Sequence, residues 1–452
     1  MTECIQNTFA FEAHFSPLVE ASFEGQQMTT DGGALLLRAV DRRIGLLKRV
    51  AACFTDARDP ERVEHPLGAL LAQRIYALAL GYEDLNDHEE LRRDPLLGLL
   101  AGKRELREPL AGKSTLNRLE LTPTVPHTER YHKITYSRAA LDTLLVEIFL
   151  EAHAQPPRQI VLDLDVTDTP VHGEQEARFF HGYYGHYCYL PLYIFCGEHL
   201  LCARLRPSNQ DASAGSTEEV ECIVRQIRYR WPKTRILLRA DSGFCREELM
   251  SWCEKHRVDY VLGFARNPRL RRKIASALRQ AKQEYLRTGK PARVFTEFFY
   301  RTRKTWSRKR RVVAKAEHLE KGENPRFVVS SLDAQTQPAQ KLYEQLYCAR
   351  GEMENRIKEQ LSLFSDRLST ETLRANQLRL YFSSLAYVLL HALRRLALAR
   401  TEWAAAQVET IRLRLLIIAA EVRLSARRIC VRFSRAYPWK TIFAAACLAL
   451  GD

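Results

Sequence analysis

The sequence lacks an apolar run long enough to cross a membrane. Its longest apolar stretches, Phe382–Leu393 and Ile442–Leu450, fall short of the roughly 20 residues that a membrane-spanning helix needs. The N-terminus also lacks the basic-then-apolar pattern of a signal peptide. We therefore expect a cytoplasmic protein with no membrane partner.

Several common catalytic and metal-binding patterns are also missing. The eleven cysteines are scattered and none forms a C-x-x-C pair, which argues against a zinc ribbon, a redox pair and a disulfide framework. There is no Gly-x-Ser-x-Gly elbow of a serine hydrolase. Residues 112–115, Gly-Lys-Ser-Thr, are not a phosphate-binding loop, because Arg107 replaces the first glycine of that motif and no strand precedes it.

Acidic residues are too few to balance the basic ones. Asp and Glu number 54 against 69 Lys and Arg, which gives a formal net charge of +15. This excess favours a polyanionic partner, either nucleic acid or an anionic membrane surface. The absence of a membrane-spanning run makes nucleic acid the better candidate.

The apolar pattern changes along the chain. From 29 to 150 the spacing of three and four residues predicts helices, for example at 34–46 and Leu67–Leu80. After the Pro156-Pro157 break, short apolar runs predict strands and two helical patterns lie between them. The predicted strands are 160–165, 189–195, 199–205, 235–241 and 260–264, and the predicted helices are Glu218–Arg230 and Glu247–Lys255. Consecutive strands followed by alternation indicate a mixed sheet with helices packed on it.

The remaining chain contains an insertion and a second helical region. Alternating runs at 294–300, 311–316 and 326–331 predict antiparallel strands inserted into the core. The last hundred residues return to a helical pattern, at Leu378–Leu398 and Val408–Leu424. We therefore predict an α/β fold in which a mixed sheet with a mainly β insertion is flanked by helical N- and C-terminal regions.

Three aspartates lie on the predicted strands. Asp163 and Asp165 alternate on one strand, so both point to the same face, and each needs a reason to stand among apolar neighbours. Asp241 ends a second strand, at the sheet edge where open α/β folds usually place their sites. Capping of the helix after the turn explains Asp241 equally well.

A later helix supplies a third acid. Tyr347, Arg350 and Glu354 stand at i, i+3 and i+7, which places them on one helical face. An ordinary solvated helix with i, i+4 charge pairs is the alternative explanation. Three carboxylates meeting at a sheet edge suit Mg²⁺ or Mn²⁺, since hard cations take oxygen ligands, and Arg350 is suited to bidentate phosphate binding.

These residues resemble the DDE-type transposases of bacterial insertion sequences, in the branch with a Tyr-x2-Arg-x3-Glu signature. The similarity runs over nearly the whole chain. The similar segments are the start at Thr30-Asp-Gly-Gly, the first-aspartate strand 161–167, the second at 239–244, the signature at 347–354 and the end at 376–380.

The resemblance implies an RNase H-like core, Mg²⁺-dependent DNA cleavage at the ends of the element, strand transfer into target DNA, and a homodimer that holds two terminal inverted repeats. It implies that Asp165, Asp241 and Glu354 hold the metal ions, with Asp163 as the rival of Asp165, and that Tyr347 and Arg350 position DNA. The implied domains are a helical N-terminal DNA-binding domain at 1–155, a catalytic core at 156–266 and 334–400, a β-rich insertion at 267–333 and a basic C-terminal tail at 401–452.

One position departs from the family pattern. The branch often has a lysine seven residues after its glutamate, where this chain has Leu361. Lys358, one helical turn nearer to Glu354, is the remaining candidate for that phosphate contact.

The densest basic run is Tyr300–Lys315, which also contains two aromatic residues. Phosphate contact with occasional base stacking is one explanation, and a solvated hairpin edge is the other. The candidate DNA-binding residues of this run are Arg303, Lys304, Arg308, Lys309, Arg310 and Arg311.

Three further clusters are less specific. The basic residues of 266–273 follow a predicted strand, so we expect them to line the same cleft as the strand-end acids. The basic residues of 423–435 suit either DNA binding or a basic surface helix. The histidines His172, His181 and His186 lack a metal-ligand spacing and accompany Gly-Tyr-Tyr-Gly at 182–185, for which we expect a turn and core packing.

The sequence thus predicts a cytoplasmic, nucleoid-associated transposase that acts on terminal inverted repeats and target DNA. Two alternatives stay open. Another RNase H-like nuclease or recombinase would share the three acids but not the recognition of paired ends. A DNA-binding protein that has lost catalysis would share only the fold.

Overall fold

A computed structural model describes residues 8–11, 17, 19–22, 25–124 and 131–451. Contacts divide the chain into two compact units. The smaller unit comprises Met1–Ala51, Asp59–Leu119 and Ala392–Asp452, and the larger comprises Ala52–Arg58 and Glu120–His391. The domains inferred from the sequence were assigned by function, whereas these units are defined by contacts alone. The predicted domain boundaries therefore stay a prediction.

The strands belong to five sheets of the described residues. They are β1 Thr8–Phe11, β2 Val19–Ser22, β3 Met28–Thr29, β4 Phe54–Asp56, β5 Ile134–Tyr136, β6 Gln159–Val166, β7 Thr169–Pro170, β8 Phe179–His181, β9 His186–Tyr189, β10 Leu192–Cys196, β11 His199–Arg204, β12 Arg235–Ala240, β13 Asp259–Phe264, β14 Ala292–Tyr300, β15 Arg310–Leu319, β16 Gly322–Glu323, β17 Arg326–Ser330, β18 Ala420–Leu424 and β19 Ile429–Phe433.

Helices fill most of the remaining chain, and short 3₁₀ and π segments join some of them. The α-helices are α1 Leu35–Ile44, α2 Leu46–Ala51, α3 Leu67–Leu80, α4 His88–Leu91, α5 Pro95–Leu100, α6 Lys113–Glu120, α7 Arg138–Glu151, α8 Ser216–Arg230, α9 Glu247–Lys255, α10 Pro268–Lys273, α11 Ala275–Thr288, α12 Ala339–Lys341, α13 Gly351–Leu361, α14 Leu373–Leu393, α15 Val408–Ile411 and α16 Lys440–Leu450.

The larger unit is built on one mixed sheet. Its strand order is β11-β10-β6-β12-β13-β17-β15-β14, with β16 paired to β15. The three central strands β6, β12 and β13 run parallel, and the neighbours on both sides pair antiparallel. The predicted α/β fold with a large mixed sheet is confirmed.

Alternation along the strands gives the sheet two different faces. Leu162, Leu164 and Leu238 point to one face and join a large buried core that includes Phe149 of α7 and Ile227 of α8. Leu237, Val261, Val313 and Val328 point to the other face and pack against Leu342 and Tyr343. Because residues two apart share a face, Asp163, Asp165 and Arg239 lie on this second face.

The segment 267–333 extends the same sheet. Strands β14, β15 and β17 continue its antiparallel edge. Helices α10 and α11 precede them, and neither was predicted from the sequence. The segment is therefore a mixed α and β addition, whose helix α11 contacts β14 and β15.

The smaller unit contains a close backbone approach. Gly32 N donates a hydrogen bond to the Ile418 carbonyl at 2.9 Å. A Cβ on Gly33 would lie 1.9 Å from the Leu415 carbonyl oxygen, so only glycine fits. The Thr30-Asp-Gly-Gly motif therefore has a packing role in this unit.

The prediction of a helix over Val408–Leu424 is wrong in its second half. The helix ends with a π segment at Leu416, and β18 follows, paired with β3 and β19. Ala420, Val422 and Leu424 alternate with charged residues, which is the period of a strand. The basic residues after 420 consequently lie on and after a β-hairpin, and the surface-helix interpretation of them is also wrong.

No helix within 25–124 or 131–451 combines the length and apolar character that crossing a bilayer requires.

Candidate active site

Asp165 and Asp241 lie next to each other at one edge of the mixed sheet. Strands β6 and β12 are parallel neighbours, and Leu164 is paired with Ala240. Asp165 is the next residue of β6 and Asp241 directly follows the last residue of β12, so both lie at the carboxyl ends of these strands. Burial and the Asp241 charge raise the pKa of Asp165 to about 6, against the opposing effect of Arg350.

Asp241 also caps the turn that follows it. Its Oδ1 accepts a hydrogen bond from Gly243 N at 2.8 Å, at the start of the 3₁₀ turn Ser242–Phe244. The capping role expected of this residue is therefore found at the turn itself and not at the helix α9 after it, whose N-cap is Arg246. It leaves the position of the carboxylate beside Asp165 unchanged, so the catalytic interpretation stays a prediction.

Asp163 has a different environment from Asp165, although both point to the same face. The Arg239 guanidinium donates to both Asp163 oxygens, at 2.5 and 2.7 Å. Both residues are buried, with 5% and 6% of their surface exposed. Arg239 also donates to the Leu346 carbonyl at 2.6 Å. This bidentate pair ties two strands to the segment that carries the Tyr-x2-Arg-x3-Glu signature.

The signature segment is less regular than the helix predicted for it. A π segment at Leu342–Tyr347 and a 3₁₀ turn at Cys348–Arg350 precede α13. Departures of this kind from α-helical geometry are frequent at functional sites.

Arg350 connects the first and third acids. Its Nη1 donates to Asp165 Oδ2 at 2.8 Å, and its Nη2 forms an ion pair with Glu354 Oε1 at 3.6 Å. The Asp165 side chain is 14% exposed and that of Glu354 is 58% exposed. The ordinary i, i+4 charge pair expected of a solvated helix is thus present, and it also brings Glu354 towards the strand-end acids.

Tyr347 packs against the backbone beside Asp241. A Cβ placed on Gly263 of β13 would lie 2.6 Å from the Tyr347 hydroxyl and 2.8 Å from Ser242 N. Burial, more than the nearby Asp241 charge, raises the pKa of Tyr347. Sequence reasoning missed this close approach at Gly263, because a glycine inside a strand carries no local signal of what approaches it.

The donor chemistry of the site suits a hard divalent cation. Among the residues that the structure describes, no group of three His, Cys, Asp or Glu side chains is already arranged around a common point. The Arg350 guanidinium instead contacts two of the acids. Burial raises the pKa of the Asp165 carboxyl, and added positive charge would stabilise its ionised form. Carboxylate oxygens are the ligands that hard divalent cations take, so the donor chemistry fits, and the assignment of Asp165, Asp241 and Glu354 as metal ligands stays a prediction.

The basic run at 300–315 divides into buried and exposed parts. Arg310 forms ion pairs with Glu247 and Glu254, and Arg311 with Glu297, and both arginines are buried. Their interpretation as DNA contacts is therefore corrected, since they stabilise the sheet from inside. Tyr300 and Trp306 are buried too, which leaves them no face for base stacking. The exposed cations of the predicted set are Arg303, Lys304, Arg308, Lys309 and, on α13, Lys358.

A second cluster of cations lines an open cavity of about 830 Å³. Arg266, Arg271, Arg272 and Arg279 contribute to its wall, together with Glu323, which pairs with Arg271. The sequence predicts that the first three of these arginines line the same cleft as the strand-end acids. Sequence reasoning missed Arg279, which lies on α11, a helix that was not predicted.

Acids at the carboxyl ends of adjacent parallel strands, beside an Arg–Glu helix, are the arrangement expected of a metal-dependent phosphoryl-transfer enzyme. A family model described as transposase DDE domain group 1 matches residues 11–451. The chain therefore belongs to this family of transposases. DDE transposases generally use divalent metal ions, in agreement with the donor chemistry above.

Comparison of structures finds similarity to the piggyBac transposase, in a cryo-EM structure of its synaptic complex with hairpin DNA. The TM-score is 0.42 at 11% sequence identity, over 87% of this chain and 83% of that chain. No curated protein sequence matches this chain significantly.

Proposed function

We propose that this transposase cuts DNA at the terminal inverted repeats of a bacterial insertion sequence and transfers the ends to target DNA. The observation that carries the proposal is the position of Asp165 and Asp241 at the carboxyl ends of neighbouring parallel strands, with Arg350 in contact with both Asp165 and Glu354. In this proposal the sheet is the RNase H-like core, and the reaction is phosphoryl transfer with two Mg²⁺ or Mn²⁺ ions.

Each side chain has a separate task. Asp165, Asp241 and Glu354 would hold the ions, which when bound activate the attacking water or 3′-hydroxyl and stabilise the leaving oxygen. Arg350 would exchange its two carboxylate partners for a DNA phosphate, which it can bind bidentately. Tyr347, fixed against Gly263 and the turn after Asp241, would position the strand that is cut.

The exposed cations supply the larger DNA surface in this proposal. Arg303, Lys304, Arg308, Lys309 and Lys358 would contact phosphates of the repeats or the target. The arginine-lined cavity beside α10 has the charge to do the same. We further propose that the N-terminal region contributes to DNA binding, that two chains assemble on the paired ends, and that the protein acts in the cytoplasm on the nucleoid.

The test uses DNA that carries the inverted repeats flanking the protein's own gene, on a supercoiled donor plasmid with a separate target. With Mg²⁺, wild-type protein is expected to cleave at the repeat ends and to join them to the target, while Asp241→Ala binds the DNA without cutting it. Cleavage without joining would favour another RNase H-like nuclease. Binding without cleavage by both proteins, with Mn²⁺ also tried, would favour a DNA-binding protein that has lost catalysis.

Substitution of Gly263 tests how precisely the site must be held. In Gly263→Ala the new methyl group meets the Tyr347 hydroxyl and the backbone at Ser242, so both must shift. We expect cleavage to fall on the order of 100-fold, since displacement of about 1 Å at a reacting centre has that effect. Initial rates of donor cleavage measure it.

Gly68→Ala is the matched control for this substitution. Gly68 lies in α3 and a Cβ there meets nothing within 4 Å. We expect this variant to cleave like the wild type. Equal cleavage rates for Gly263→Ala and the wild type would show that the contact with Tyr347 has no part in the reaction.

A further inference from the structure

A short hairpin of aromatic residues projects from the sheet beside Asp165. We call residues 178–187 the aromatic hairpin. It consists of β8, the loop 182–185 and the start of β9. Asp165 is paired with Tyr193 of β10, and Val166 with Leu192. The connection between β6 and β10, which contains the hairpin, therefore leaves the sheet and returns to it at the end where Asp165 lies.

One side of the aromatic hairpin is anchored. His186 Nε2 lies 2.8 Å from Asp168 Oδ2, three residues beyond Asp165. The Tyr184 ring lies between His181, at 4.9 Å between centroids, and Tyr183, at 5.0 Å. Burial, followed by the charges of Asp168, Tyr183 and Asp165, raises the pKa of Tyr184 to about 12. The hairpin is therefore held within electrostatic reach of the first acid.

The other aromatic side chains of the hairpin are exposed. Tyr183 is 87% exposed, Phe180 58% and Tyr187 46%. Phe180 and Tyr187 are cross-strand partners whose rings meet edge to face, at 5.6 Å between centroids. The Arg178 guanidinium carbon lies 4.8 Å from the centre of the Tyr187 ring. The sequence correctly indicated a turn here, but the expected core packing is wrong for Tyr183.

Unpaired bases are the partner that best fits this surface. Clustered exposed apolar side chains mark binding sites, and aromatic rings with an arginine among them are the means by which proteins stack bases without reading their sequence. The hairpin lies in the connection from the end of β6 that carries Asp165 to the start of β10, and the chain carries a net charge of +15.

We propose that the aromatic hairpin binds unpaired bases of the DNA strand next to the phosphodiester that is cut, by stacking them on Phe180, Tyr183 and Tyr187. This inference rests on the proposed function. It adds a subsite that favours unwound DNA at the cleavage position over continuous duplex. Enzymes that act inside a duplex must supply the free energy of unstacking bases, and stacking of those bases on an aromatic surface offsets part of it.

The test compares two 30-base-pair duplexes with the same sequence from the repeat end, one fully paired and one with three mismatched pairs at the cleavage position. Binding is measured by fluorescence anisotropy in Ca²⁺, with cleavage in Mg²⁺ measured in parallel. Wild-type protein is expected to prefer the mismatched duplex. Tyr183→Leu should lose roughly tenfold affinity for the mismatched duplex, as for loss of one stacked base, and keep its affinity for the paired one.

Tyr229→Leu is the matched control, because Tyr229 of α8 is also 87% exposed and lies outside the hairpin. It should bind both duplexes like the wild type. If Tyr183→Leu loses affinity equally for both duplexes, or loses none for the mismatched duplex, the stacking role is overturned. Cleavage by the wild type in the same experiment would leave the proposed function in place. Failure of the wild type to bind either duplex would overturn both.

Discussion

Asp165→Asn is expected to lower DNA cleavage by roughly a thousandfold or more, since loss of a metal ligand removes several kcal/mol of transition-state stabilisation. The substitution keeps the shape of the side chain and removes one negative charge from the pair with Asp241. Arg350 keeps an oxygen to donate to, although it loses the charged partner now at 2.8 Å. The fold should therefore survive, and the loss should appear in the cleavage rate and in Mn²⁺ binding measured by calorimetry.

Two comparison variants separate this effect from simple damage. Asp142 on α7 is also a partly buried acid whose pKa burial raises to about 6, and it accepts a hydrogen bond from Tyr381. Asp142→Asn should retain wild-type cleavage. Asp163→Asn should lower stability, because it weakens the pair with Arg239, yet keep Mn²⁺ binding. Loss of Mn²⁺ binding in Asp163→Asn but not in Asp165→Asn would reverse the assignment of the first ligand.

Arg239→Met is expected to reduce the free energy of unfolding by about 3–5 kcal/mol, because it leaves the buried Asp163 carboxylate without its partner. The side chains of this pair are each 8% exposed, so solvent offers little compensation. The Leu346 carbonyl also loses a donor, next to Tyr347. Denaturation in urea measures the change, and Arg230→Met, exposed at the end of α8, should stay within about 0.5 kcal/mol of the wild type.

The double variant Asp163→Leu with Arg239→Met distinguishes stability from positioning. Replacing both members of a buried ion pair by apolar residues is often neutral, so much of the lost stability should return. Cleavage should stay low, because the Leu346 carbonyl still lacks its donor and the signature segment is held less firmly. Recovery of both stability and cleavage would show that the pair serves the fold alone.

Element types were largely predictable from the sequence in both compact units. Helix α3 and strands β6, β12 and β13 match their periodic patterns within a residue or two. Prediction failed where competing patterns overlapped. The apolar residues around 408–424 fit a helical spacing, yet pairing with β3 and β19 decided a strand for the second half. Helices α10 and α11 are rich in charged residues, so their apolar residues did not form a recognisable helical pattern.

Burial was the property that local patterns predicted least well. Arg310 and Arg311 stand in the most basic run of the chain, and their ion pairs with acids up to 63 residues away place them inside. Phe180, Tyr183 and Tyr187 have the composition of a core and are exposed instead. For Arg310 the outcome depends on partners that are far away in the sequence.

The sequence by itself determined the kinds of helices and strands, the positive charge, and the order of the acids Asp165, Asp241 and Glu354, because these follow from local spacing and composition. Only the tertiary structure decided that Asp163 pairs with Arg239 while Asp165 pairs with Arg350, 76 and 185 residues apart. The two aspartates share a face and a strand. They differ in the arginine that each one contacts, and the packing of the sheet and the signature segment determines which arginine that is. Such long-range packing cannot be predicted from local periodicity.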